Sequence, residues 1–208
     1  MEGLLYKVLS GLVEKIALNP DELTDDQREF ITQVRSKLSN ALAFSDHVNW
    51  KVQWRVEKFH AKSIFDALDS GEQPYEVCSD VQNIILDTGA NEMLKLICGL
   101  TSTAFSAANA KMYVGSDSTA ESASQTGVLA TTNKAYASMD SGYPQVSGRT
   151  MIFRASFDDA TANFAWNEAA IANGTGANAI SMNRKVTSLG TKTTGTWTLQ
   201  LTITLAAA

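Results

Sequence analysis

Hydrophobic positions change their period along the chain. In "MEGLLYKVLSGLVEKIAL", Leu4, Leu5, Val8, Leu9, Leu12, Val13 and Ile16 recur at spacings of one, three and four, a helical stripe. Asn19-Pro20 ends it. "LTDDQREFITQVRSKLSNAL" opens on Thr24 and Gln27, a capping box. Its apolar face is Phe30, Ile31, Val34, Leu38 and Leu42, with acids crowding the start, which suits the macrodipole. The period then switches to two. In "VNWKVQWRV", Val48, Trp50, Val52, Trp54 and Val56 alternate with Asn49, Lys51, Gln53 and Arg55, which predicts a half-buried strand. "KFHAKSIFDALDSG" reads as a short helix or long turn, and "PYEVCSDVQNIIL" as the return strand. "TGANEMLKLICGL" reads as a helix near 88–99, with Thr88 as N-cap and Gly99 as its stop. Strands are predicted over 110–116, 149–157, 163–172, 179–189 and 196–205, with a turn at Asn173-Gly174.

The expected fold class is α+β, mainly β. A helical arm over residues 1–45 precedes an antiparallel β-sandwich or open barrel over 46–208, with one helix inserted near 88–99. Composition agrees. Residues 1–100 hold 16 Asp and Glu and 10 Lys and Arg, while residues 101–208 hold 6 and 7. Ser, Thr, Gly and Asn replace the charges, as in strands joined by tight turns. A net charge of −5 lacks the basic stripe of a nucleic-acid binder. No apolar run is long enough to span a membrane, and the first residues lack the basic start and small-residue cleavage site of a signal peptide. Cys78 and Cys98 read as two small buried thiols, free in a reducing compartment.

Candidate chemistry centres on "NFAWNEAAIANG". In a regular strand Phe164, Trp166 and Glu168 share one face. Trp166 is then a core anchor with Glu168 at the emerging end, or a sugar shelf with an acid beside it. A glycosidase needs a second carboxylate flanking the bond, and the acid-poor second half supplies none in a recognisable setting. The expected anchors are Trp50, Trp54, Trp166 and Trp197. Asn167, Glu168 and Arg184 are expected in polar contacts between strands or subunits, with Glu168 in a cross-strand charge pair with Arg184 or Lys185 across a hairpin, worth about 0.2–1 kcal/mol when exposed. His47 and His60 belong to no triad pattern. Asp158-Asp159 reads as a turn, and no cofactor or metal is expected.

The blocks "TGANEMLKLICG", "AKMYVGSDSTAESASQTGVLA", "DSGYPQVSGRTMIFRASF", "ANFAWNEAAIANG" and "MNRKVTSLGTKTTGTWTLQLTITL" resemble structural proteins of tailed bacteriophages, in this order, over about residues 84–205. The matching residues are Val114, Gly115, Gln125, Thr126, Trp166, Asn167, Glu168, Asn183, Arg184 and Trp197. The chain departs from the family after Glu168, where Ala169-Ala170-Ile171-Ala172 replaces an aromatic or Gly followed by Gly-Leu-Phe. The resemblance implies a non-enzymatic virion protein made in the bacterial host cytoplasm. Its first form is a capsid decoration (cement) protein on the capsid surface. It would bind the major capsid protein and copies of itself as a homotrimer, with the arm (Leu5, Leu9, Leu12, Phe30, Val34) touching the shell. A tail, collar or head-fibre component and a carbohydrate-binding module are the alternatives.

Overall fold

The computed structural model describes residues 49–206 except 82, 83, 101 and 102, and before them residues 24, 25, 28, 29 and 33. The chain divides into two units, Met1–His47 with Ala208, and Val48–Ala207. In the first unit Asp25, Arg28, Glu29 and Gln33 are helical, and the Arg28 amide donates to the Thr24 carbonyl at 3.0 Å. Leu5, Leu9, Leu12, Phe30 and Val34, the Gln27 half of the capping box, and His47 lie outside the described residues.

The second unit is a β-sandwich, the first of the two expected architectures. One sheet, A, has the order β2-β1-β10-β7-β6, and the other, B, the order β3-β9-β8-β4-β5. Sheet A contains β1 (Asn49–Phe59), β2 (Glu76–Val81), β6 (Gln145–Ser147), β7 (Thr150–Phe157) and β10 (Thr196–Ala206). Sheet B contains β3 (Ile84–Ile85), β4 (Lys111–Gly115), β5 (Lys134–Ser138), β8 (Ala165–Ala172) and β9 (Ser181–Thr191). All pairings are antiparallel. Helices α1 (Ile64–Ser70) and α2 (Asp87–Ile97) interrupt the strands.

Register follows the alternation. Trp54 faces Leu201 and Val56 faces Leu199, so the apolar sets of β1 and β10 land on one face of sheet A. That face meets sheet B through Trp54, Val56, Phe153, Phe157, Leu199 and Ile203 on one side and Met112, Val114, Trp166, Ile171 and Leu189 on the other. Trp166 sits at the centre, edge-on to Phe157 (4.9 Å between ring centres) and Trp197 (5.0 Å). Its indole N–H donates to the Ala162 carbonyl at 2.9 Å.

Two strands were not expected. β5 alternates only small Ala135 and Ala137 against exposed neighbours, and β6 is exposed throughout, so neither carries an apolar signal. The start of α2 also corrects the sequence reading. Leu86, fully buried and held by a bond from its amide to the Met182 carbonyl, is the N-cap. Thr88 therefore lies inside the first turn, with a buried hydroxyl that has no partner among the described residues. The expected stop stands: Gly99 has φ +67°, its amide donates to Leu96, and the Leu100 amide donates to Lys95, a Schellman closure.

Candidate functional site

The residues singled out around Glu168 do meet, in a different way from that expected. β8 keeps Phe164 and Trp166 against the core, and then the pairing with β9 slips. Trp166 faces Gly190, yet Glu168 faces Val186, so three β9 residues oppose Asn167 alone. A register irregularity of this kind re-aims the following side chains. Ala169 and Ile171 return to the central core, while Ala170 joins Val128 and Ala130 on the outer side. Glu168 points outward too, so the shared face expected for Trp166 and Glu168 does not exist.

Outward is not exposed, because the segment 116–133 folds over this face. Glu168 and Arg184 are both fully buried, so the pair is not an exposed one. Glu168 Oε1 accepts from the Ala130 amide at 2.8 Å, and Oε2 accepts from the Leu129 amide at 2.9 Å and from Arg184 Nε at 2.8 Å. Arg184 spends its remaining donors on the Thr119 carbonyl, Gln125 Oε1 (both 2.9 Å) and Asp117 Oδ1 (3.3 Å). Asn167 donates to the Ser116 carbonyl at 3.0 Å. A buried pair is tolerable only when its other lone pairs and protons are met, as they are here. Gly115 completes the fit, because a Cβ there would meet Glu168 Oε1 and Val128 Cγ1. Asp117, at the solvent edge, is held below the usual carboxylate range by the Thr119 amide and hydroxyl, with the Arg184 charge adding to it.

This node clamps a loop and leaves Glu168 nothing to give a substrate. Its carboxylate oxygens are occupied by fixed donors and closed to solvent, so it cannot serve as a general acid. The tryptophans form no sugar shelf: Trp54, Trp166 and Trp197 are buried in the core, and only Trp50 is partly accessible. His60 stacks on Tyr75 at 4.3 Å, and Asp159 accepts from the Thr194 hydroxyl and the Gly195 amide.

The accessible surface that stands out is apolar. A groove of about 580 Å³ runs between α2 and the inner edge of sheet A, walled by Trp50, Met93, Ile97, Phe105, Val146 and Leu205, among others, with no charged residue in its lining. The chain matches no family model, no curated protein and no solved structure. The groove's helix packs Met93 against the core but leaves other large apolar side chains outside. α2 buries Gly89 and Glu92, and exposes Leu94 (63 %) and Ile97 (82 %). Gly89 lets the helix backbone ride on Met182, where any Cβ would clash, and Glu92 accepts from Asn173 at 3.3 Å. Leu100 (77 %) and Val146 (79 %) extend the exposed apolar surface. No sequence signal identified this face, because helical spacing shows which residues are apolar and not which side packs inward.

Proposed function

We propose that the chain is a non-enzymatic virion structural protein of a tailed bacteriophage, a capsid decoration (cement) protein that binds the major capsid protein and bridges capsomers. The exposed apolar side of α2 carries this reading. A helix whose Leu94 and Ile97 face solvent while its glutamate is buried is arranged to dock, since large exposed apolar patches mark interaction surfaces. The sandwich supplies a rigid base, and repetition of one modest contact over a symmetric shell multiplies its strength. The occlusion of Glu168 favours a structural over a glycosidic role. In this reading the occupant of the groove is an apolar segment of the shell, and the subunit packs as a homotrimer against copies of itself.

Quantifying the protein in purified virions of the phage that encodes it tests the proposal. Decoration requires hundreds of copies. A dozen or fewer would move the protein to the tail, collar or head fibre, and absence from the particle would refute a virion role.

A further inference from the structure

A second cleft lies on the outer side of sheet B. It encloses about 380 Å³, within the range of small-molecule sites. Thr88 of α2, Tyr113 of β4, Thr126 to Val128 of the clamped loop, Lys134 of β5 and the β8–β9 turn with Ser181 converge on it. Its polar groups are incompletely used. Lys134 gives one bond to the Val128 carbonyl (3.1 Å) and retains donors. Tyr113 donates to the Gly174 carbonyl (3.1 Å), so its oxygen remains free to accept, and burial pushes the phenol up, keeping it neutral. The Ser181 and Thr126 hydroxyls make no bond among the described residues, although Ser181 is only 7 % exposed. Gly127, at φ +148°, brings the loop so close that a Cβ would lie 2.6 Å from Ser181 Oγ. No carboxylate lines the cleft, and Val128, Ala172, Ala179 and Ile180 supply apolar wall.

We propose that this cleft binds a small hydroxylated carboxylate the size of a sugar acid. Lys134 is a pure donor in an acid-free lining, so it selects an anion. The Tyr113 oxygen has spent its proton, so it needs a ligand hydroxyl as donor. Ser181 and Thr126 can do either. A neutral sugar can accept from Lys134 but leaves its charge uncompensated, and a bare carboxylate leaves Tyr113 without a donor.

Calorimetric titration of the full chain with glucuronate, glucose and acetate tests this. Saturable binding of glucuronate is expected with a Kd on the order of 1 mM, and glucose and acetate should each bind at least about tenfold more weakly. Lys134→Met should abolish the preference for glucuronate over glucose, Lys134→Arg should restore part of it, and Thr126→Val should weaken binding severalfold. Melting temperatures identify any variant whose loop has been disturbed, and Thr126→Val keeps the test open if Lys134→Met is one of these. The proposal is overturned if glucuronate gives no saturable heat, if glucose or acetate binds equally well, or if a folded Lys134→Met protein retains the preference.

Discussion

Sheet B presents two faces built on opposite principles, and β8 contributes to both. Its inner face is apolar and centred on Trp166, which is fully buried between Phe157 and Trp197. At Glu168 its outer face is closed as well, but there a charged pair closes it: Glu168 and Arg184, with the loop 116–133 folded over them. The inner face depends on volume and shape, which many residues share. The outer face depends on two side chains whose bonds must all be made. Interior packing should therefore fail gradually and the clamp all at once.

The largest effect expected from breaking this contrast is on the inner face. Trp166→Ala removes the central ring and should cost roughly 3–5 kcal/mol of stability, measured by denaturant unfolding. A loss below about 1 kcal/mol would mean that Trp166 is not the anchor of the core.

On the outer face, Glu168→Gln leaves a buried guanidinium facing an amide and should cost about 3 kcal/mol. The sharper test is the pair. Replacing both Glu168 and Arg184 by leucine and methionine should recover part of that loss, because no buried charge is left unmatched, although the Leu129 and Ala130 amides lose their acceptor. If the double variant is as unstable as the sum of the singles, the clamp is not a charge pair offsetting its own desolvation. Gly115→Ala, which drives a methyl group into Glu168 and Val128, should cost about 1–3 kcal/mol. Limited proteolysis should then cut first within 116–133, and protection equal to wild type there would contradict the close fit.

These effects show which parts of the molecule its sequence discloses. The alternation in "VNWKVQWRV" and "TWTLQLTITL" locates β1 and β10 and their buried face because one period governs a whole strand. The C-terminal stop at Gly99 is equally local. The clamp is not local: Arg184 reaches Asp117, 67 positions away, and the slip in β8 that turns Glu168 outward exists only against β9. The polarity of α2 is hidden for the same reason, since Glu92 faces inward to meet Asn173, 81 positions away. β5 and β6 are too short and too poor in large apolar side chains to register.

The smallest stability effect concerns pH. Asp117 has a depressed pKa in the folded protein, so its contribution is present above the ordinary carboxylate range and is lost as pH falls through and below it. Because this carboxylate is partly exposed, solvent screening keeps the effect small. Asp117→Asn should flatten the acid limb of the stability profile, and an unchanged limb would remove Asp117 from the clamp's electrostatics.

The exposed apolar side of α2 is proposed as a docking surface. Leu94→Ser/Ile97→Ser tests it most directly, because both side chains project into solvent and neither supports the sandwich core. The measurement is occupancy of the doubly substituted protein on virions, beside its melting temperature. A melting temperature within a few degrees of wild type is expected, with occupancy reduced at least about tenfold, equivalent to about 1.4 kcal/mol in all. Full occupancy by a folded double variant would contradict it.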